Sequence, residues 1–292
     1  MHVFIQACIL GLLTGGVYAL MASGLALGFG VMRVINVAQG ALIILGAYLS
    51  YTLYSSLGID PFIGLLVLTP AMFVLGVVLQ IVFLRPLREE EREELSILVT
   101  WAIALGIEGI LSIAYQTTYR STITSYADRS WTVLGYYISV ARTYAFVASI
   151  VVLVLLFAIL RFTKLGRAVR ATVQNPTAAR LLGVETRLVS ALGFGLSVAT
   201  ASAAGAVYGI VFPFNPGSHY DLISRLLTII VLGGLGSLGG AVIAALGMGL
   251  AESLFSAEFS PTWASFTFFV VLIVMLVLRP QGLFGARVRG AI

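Results

Sequence analysis

Long apolar runs separated by short polar segments dominate the chain. Most runs contain about 20 residues, the length that a helix needs to cross a hydrocarbon core of about 30 Å. The pattern predicts membrane-spanning helices at Ile5–Met32, Val34–Leu57, Pro61–Leu84, Leu95–Tyr115, Tyr144–Leu160, Leu188–Phe212 and Trp263–Leu278. A further apolar region, Ile223–Ser256, is interrupted by glycines and predicts either a hairpin of two short helices or a re-entrant pair. We therefore expect an all-α, polytopic membrane bundle of about eight spans, forming one transmembrane domain over residues 1–292.

Composition supports a membrane protein and excludes several classes of enzyme. Of 292 residues, 60% are hydrophobic and 10% are charged, whereas a soluble domain has about 25% charged residues. The single cysteine, Cys8, excludes a disulfide framework and a thiolate metal cluster, and two histidines cannot form a three-histidine metal site. Leu165 follows the only lysine, Lys164, so the chain lacks the Lys-Ser/Thr pair of a phosphate-binding loop. We expect no catalytic residue, no metal site and no cofactor in this chain.

The basic residues predict an orientation, because Lys and Arg accumulate in cytoplasmic loops. Thirteen of the 17 fall on one side of the predicted spans: Arg33, Arg85, Arg88, Arg92, Arg161, Lys164, Arg167, Arg170, Arg180, Arg187, Arg279, Arg287 and Arg289. Arg120, Arg129, Arg142 and Arg225 fall on the other side. We expect the N-terminus outside, the first span retained, and the C-terminus in the cytoplasm. Topology thus explains the net charge of +5, and a nucleic-acid partner need not be invoked.

Polar residues within the predicted spans are costly and often functional. Glu108 lies in the middle of a span and should face a cavity or a polar partner, whereas Glu252 is expected to reach the nearer boundary. Asn36 and Gln39, three positions apart, would share one helical face beside Gly40. These amides suit either a polar path for a small amphiphilic solute or hydrogen bonds between helices.

A glycine-rich break, Gly233–Gly240, contains GLGSLG from Gly234 to Gly239. This matches the dinucleotide fingerprint, but the βαβ context is absent and Glu252 follows only 13 residues after Gly239. We therefore expect either close helix packing or an interrupted helix beside a path. The residues predicted to line such a path are Asn36, Gln39, Gly40, Glu108, Gly233, Gly234 and Gly236.

The segment Arg161–Arg187 is the longest predicted cytoplasmic connection. Asn175 is a favourable N-cap, Pro176 suits a first helical position, and Gly183 suits the left-handed residue after a helix. The enclosed helix, Pro176–Leu182, is too short to be stable alone in water. Its apolar surface, formed by Ala178, Ala179, Leu181 and Leu182, must pack either on the bundle or on a partner.

Three segments carry a family resemblance: VINVAQGALIILGAY (34–48), LGRAVRATVQNPTAARLLGV (165–184) and VLGGLGSLGGAVIAALGMGLAESL (231–254). The chain resembles the LivH-like permease subunit of branched-chain amino acid ABC importers over nearly its whole length. The resemblance implies a bacterial plasma-membrane permease that pairs with a second, related permease, two cytoplasmic ATPases that bind ATP, and an extracytoplasmic substrate-binding protein. It also implies that a coupling segment docks on the ATPase through Gly166, Arg167, Arg170, Asn175, Pro176, Ala179, Arg180 and Gly183.

The first motif departs from the family pattern. Gln39 and Ala41 occupy positions where relatives commonly have a histidine and an acid, and Glu108 is also unexpected. Branched-chain or other hydrophobic amino acids are the implied substrates, and urea, amides and organic acids remain open. An ion-coupled secondary transporter is the alternative function, but it would need intramembrane carboxylates, and only Glu108 is deep.

Overall fold

The computed structural model describes residues 2–32, 34–87, 91–133, 135–259, 263–279 and 282–284. Within them lie eleven α-helices and one two-stranded antiparallel hairpin. The helices are α1 His2–Met32, α2 Gln39–Leu57, α3 Pro61–Leu79, α4 Arg92–Tyr115, α5 Val140–Phe162, α6 Lys164–Gln174, α7 Pro176–Leu181, α8 Thr186–Val211, α9 His219–Gly233, α10 Leu238–Glu258 and α11 Ala264–Leu278. The strands are β1 Ser130–Val133 and β2 Tyr136–Ser139. The predicted all-α membrane bundle is confirmed.

Helices α1 and α8 form the centre of the bundle, and small residues allow their neighbours to approach closely. A Cβ built on Gly11 would lie 2.8 Å from the carbonyl oxygen of Gly249, so α1 and α10 meet backbone to backbone. A Cβ on Gly46 would lie 2.7 Å from Cα of Ser202, which joins α2 to α8 in the same manner. Such contacts explain how helices associate where lipid and protein are equally apolar.

Seven of the described helices are long and apolar enough to cross a membrane. Helix α9 has 15 residues, which at 1.5 Å per residue extends about 22 Å and falls short of the hydrocarbon thickness. The region predicted at Ile223–Ser256 is therefore a hairpin with one short arm, α9, and one full-length arm, α10. Helix α11, also 15 residues, ends the described bundle.

One span boundary and one additional helix differ from the sequence prediction. The predicted span Val34–Leu57 begins as a helix only at Gln39, because Val34–Ala38 forms an irregular segment after α1. Helix α6 was not predicted, although Thr163 caps it by accepting a hydrogen bond from the backbone N–H of Gly166 at 3.1 Å. The orientation argument also used Arg33, Arg88, Arg287 and Arg289, which lie outside the described residues.

Candidate functional site

The amides Asn36 and Gln39 form a buried network rather than one face of a helix. Asn36 precedes α2, which corrects the shared helical face predicted from their spacing. Its Nδ2 donates to Oε1 of Gln39 at 3.2 Å, and Oγ of Ser197 in α8 lies 3.4 Å from the same oxygen. Oγ of Ser197 also donates to the carbonyl oxygen of Gly24 in α1 at 2.6 Å. Both amides are fully enclosed, so in this geometry they join α1, α2 and α8.

Gly40 brings the start of α2 against the start of α9. A Cβ at Gly40 would lie 2.6 Å from the carbonyl oxygen of His219. This close approach fixes His219, the first residue of α9, deep in the bundle, where it is buried.

The glycine-rich break is a tight turn between α9 and α10. Gly233 packs against the backbone of Gly240, and Gly234 and Gly236 adopt φ of 91° and 80°, values that favour glycine. The backbone N–H of Leu283 donates to the carbonyl oxygen of Leu232 at 2.7 Å. Gly233 and Gly234 are buried, and Gly236 is exposed beside α1. Close packing within one subunit therefore accounts for the break, and its role in a path stays a prediction.

Glu108 meets two polar partners from α9 in what we call the Glu108 cluster, formed by Glu108, His219 and Tyr220. Oε2 of Glu108 lies 3.1 Å from Nε2 of His219 and accepts a hydrogen bond from the Tyr220 hydroxyl at 2.9 Å. The rings of His219 and Tyr220 are also in contact, with centroids 3.9 Å apart. The polar partner predicted for this mid-span carboxylate is thus present.

The Glu108 cluster reaches the outer surface of the subunit. The Glu108 side chain is 25% exposed, and Tyr220 is exposed on α9. Gly106 and Gly109 flank this part of α4, and a Cβ on either would meet no atom within 4 Å. The Glu108 carboxylate and the Tyr220 hydroxyl therefore lie on an uncovered face, with the buried imidazole of His219 behind them. Sequence reasoning missed His219 and Tyr220, because only the return of the chain after α8 brings them to Glu108.

A second polar cluster lies within the bundle and was also missed. Arg225 of α9 forms an ion pair with Glu252 of α10, and the hydroxyl of Tyr18 in α1 donates to the same carboxylate at 2.7 Å. The Arg225 guanidinium also lies 5.0 Å from the ring centroid of Phe268 in α11. The Glu252 carboxylate is therefore paired within the bundle, and its position relative to the membrane boundary stays a prediction. The sequence did contain a signal for this ion pair, because Arg225 and Glu252 carry opposite charges within the same apolar region, Ile223–Ser256.

The coupling segment forms two short helices, α6 and α7, joined at Asn175. As predicted, Oδ1 of Asn175 accepts the N–H of Ala178 at 3.0 Å, Pro176 opens α7, and Gly183 adopts φ of 81°. Helix α7 ends at Leu181, one residue before the predicted end.

Three residues of this segment hold it to the bundle. Ala179 is 2% exposed, so the ATPase contact expected of it is not available in this geometry. Nη1 of Arg170 donates to the carbonyl oxygen of Leu160 at the end of α5. Gly166 is buried where α6 crosses α5, and a Cβ there would collide with the Leu160 carbonyl group.

Other residues of the segment face outward. Arg167 is exposed, and Nε of Arg180 donates to Oγ1 of Thr186 at 2.9 Å. Leu181 and Leu182 are 85% and 83% exposed. Isolated apolar side chains are common on protein surfaces, but two adjacent leucines with this exposure on a short polar-flanked helix form a compact apolar tip.

Comparison with known proteins identifies the family. A family model described as "Branched-chain amino acid transport system / permease component" matches residues 8–276. The permease protein LivH of the high-affinity branched-chain amino acid transport system of Escherichia coli K12 is 30% identical, covering 97% of this chain and 96% of LivH. BraD of Pseudomonas aeruginosa, described in the same terms, is 28% identical with the same coverage. The permease protein LivM of E. coli K12 is 30% identical over 141 residues, covering 47% of this chain and 33% of LivM. No solved structure matches this chain significantly. The chain therefore belongs to the family of permease components of branched-chain amino acid transport systems.

Proposed function

We propose that this chain is one of two permease subunits of an ATP-driven importer of branched-chain or other hydrophobic amino acids. Its partners would be a second, related permease, two cytoplasmic ATPases that bind and hydrolyse ATP, and an extracytoplasmic substrate-binding protein. Similarity to both LivH and LivM supports pairing with a related permease. The assembly would lie in a bacterial plasma membrane, with the N-terminus outside and the C-terminus in the cytoplasm.

The observation that carries this proposal is the shape of the coupling segment. Helix α7 is capped at both ends and fixed to the bundle by Ala179, yet it presents Leu181 and Leu182 to solvent. An apolar tip on a rigid support is suited to insertion into a groove of a soluble partner. We assign that tip to the ATPase contact, with Arg167 and Arg180 at its polar margin.

The Glu108 cluster is our proposed contribution to the solute path. Its surface on α4 and α9 would face the second permease, because an uncovered carboxylate facing lipid would be costly. The carboxylate of Glu108 and the hydroxyl of Tyr220 offer hydrogen bonds to the ammonium group of a passing amino acid. Asn36 and Gln39 would support this path from behind by fixing α2, against which α9 packs.

Reconstitution tests the function against the ion-coupled alternative. Proteoliposomes containing this chain, its co-purified permease and the ATPases should accumulate radiolabelled leucine only with ATP inside and the binding protein outside. Collapse of the proton and sodium gradients should leave the initial rate unchanged. Uptake by this chain alone, driven by an ion gradient without ATP, would refute the proposal.

A further inference from the structure

A partly polar cavity of about 400 Å³ lies at the end of the bundle opposite the coupling segment. It follows the seam where α1 packs on α10, and Arg142 at the start of α5 and Phe212 directly after α8 complete its walls. Along α1 its lining runs from Val3 to Thr14, which at 1.5 Å per residue is about 16 Å. The volume is within the range of small-molecule binding sites.

Arg142 brings a positive charge to this cavity without a bonded counter-ion. The residue is half-buried in the first turn of α5, and its guanidinium forms no hydrogen bond or ion pair with the described residues. Glu252 lines the same cavity, but its carboxylate is paired with Arg225 and accepts a hydrogen bond from Tyr18. The second carboxylate on Arg225, that of Asp221, is 54% exposed and does not line the cavity. A carboxylate bound beside Arg142 would balance its charge, which is costly to withdraw from water alone.

The rest of the lining places hydrogen-bond acceptors beside apolar walls. An ionised carboxylate has about four acceptor sites, and the hydrogen bonds from Arg225 and Tyr18 occupy two of those on Glu252. The hydroxyl of Ser256, one turn further along α10, has no hydrogen-bond partner in the described part of the chain. Apolar side chains form the remaining walls: Val3, Ala7, Leu10 and Phe212. A positive group, free acceptors and apolar surface therefore share one cavity.

We propose that this cavity binds an amino acid with an apolar side chain, at a site separate from the Glu108 cluster. Arg142 would hold the α-carboxylate through two parallel N–H···O bonds, which the planar guanidinium favours. Glu252 and Ser256 would accept hydrogen bonds from the α-ammonium group, and the apolar walls would bury the side chain. The inference rests on the proposed function for the class of solute and for the orientation. In that orientation the cavity opens on the extracytoplasmic side, where a solute released by the binding protein would arrive.

Calorimetric titrations of the full chain, purified with its accompanying subunits but without the binding protein, test this site. Three ligands separate the functional groups: L-leucine carries both charged groups, leucinamide lacks the carboxylate, and isocaproate lacks the ammonium group. We expect leucine to bind at least tenfold more tightly than either analogue, because each analogue leaves a charged group of the cavity without its partner.

Arg142→Gln should weaken leucine binding about 10- to 100-fold, through loss of the hydrogen bonds to the ligand carboxylate. It should leave leucinamide binding unchanged, because leucinamide cannot form those bonds. Arg129→Gln is the matched control: it removes an exposed arginine at the same end of the bundle, outside the cavity, and should leave leucine binding within about twofold. Ala257→Trp fills the cavity from an exposed position on its rim, so it should also abolish binding if Arg142→Gln does not fold.

Weaker leucine binding by both cavity variants, with the control unchanged, supports the site. Absent leucine binding, or equal binding by the wild type and both cavity variants, would overturn it. Isocaproate binding as tight as that of leucine would also overturn it, because the cavity would then select organic anions in general. Leucine binding that only Glu108→Gln weakens would instead place the solute in the Glu108 cluster and overturn this site. The proposed function fails by a different result, namely leucine binding that depends on Arg142 in an assembly that shows no ATP-dependent uptake.

Discussion

Removing the carboxylate of Glu252 should destabilise the protein by about 3 kcal/mol. The side chains of Arg225 and Glu252 are 15% and 14% exposed, so the pair is largely withdrawn from water. Breaking a buried ion pair at one partner costs about 3–5 kcal/mol, because the remaining charge stays buried without it. Residual exposure and the second carboxylate, Asp221, at 2.8 Å from Nε of Arg225 place Glu252→Ala at the lower end of that range.

Asp221 supplies the control within the same cluster. Its side chain is 54% exposed and lies one helical turn before Arg225 on α9. Pairs of this kind contribute about 0.3–0.5 kcal/mol, so Asp221→Asn should cost less than 1 kcal/mol. Both carboxylates contact the same guanidinium. The difference in destabilisation between the two variants therefore measures the effect of burial rather than the effect of charge.

Equilibrium unfolding in mixed micelles, monitored by helical circular dichroism, measures these differences. Replacing both members of the pair, Arg225→Met with Glu252→Leu, should recover most of the loss, because no unpaired charge remains. Equal unfolding free energies for Glu252→Ala and Asp221→Asn would refute the assignment of Arg225 and Glu252 as a buried pair that holds α9 to α10.

Three further predictions concern the path, the docking tip and helix packing. Glu108→Gln should lower ATP-dependent uptake at least tenfold while its unfolding free energy stays within about 1 kcal/mol of wild type. Glu94→Gln, at an exposed position of the same helix, is the control and should change neither uptake nor stability. Normal uptake by Glu108→Gln would exclude Glu108 from the path. The double variant Leu181→Asp with Leu182→Asp should reduce co-purification of the ATPase at least tenfold, because loss of an interface hot spot costs about 2 kcal/mol or more. Thr177→Asp, at an exposed position of the same helix, is the control. Unchanged co-purification of the double variant would place the ATPase contact elsewhere. Gly46→Ala should destabilise the folded protein by about 1–3 kcal/mol, because the added Cβ would overlap Ser202. Gly247→Ala is the control and should be neutral or stabilising, because a Cβ there meets nothing within 4 Å. Equal stability of the two variants in thermal melts would contradict the α2–α8 contact.

Apolar run length predicted most of the helices, because a bilayer imposes the same length on every span. Local chemistry was equally informative in the coupling segment, where Asn175, Pro176 and Gly183 each perform the capping role expected of their side chains. Both kinds of signal are local. They depend on residues within one turn or one helix, and packing elsewhere does not change them.

The polar residues were harder to place, because their partners come from distant parts of the chain. Asn36 and Gln39 were equally consistent with a path and with helix association, and the position of Ser197 on α8 makes them a buried network. Ala179, Leu181 and Leu182 all belonged to the predicted apolar surface, yet the packing of α7 on the bundle buries Ala179 and leaves the two leucines exposed. Helix faces follow from tertiary packing, which spacing alone does not encode.

Helix α9 shows why these long-range contacts matter for function. Its first residues meet Glu108 of α4, its middle is tied to α1 and α10 through Arg225, and its last residue, Gly233, packs against Gly240. A helix of 15 residues is too short to span the membrane, so its depth must be fixed by such attachments rather than by the bilayer. Because α9 is held at three levels, the Glu108 cluster keeps a fixed position within this subunit. If the proposed second permease packs on this face, we expect alternating access to move that subunit relative to α9, with α9 staying fixed within its own bundle.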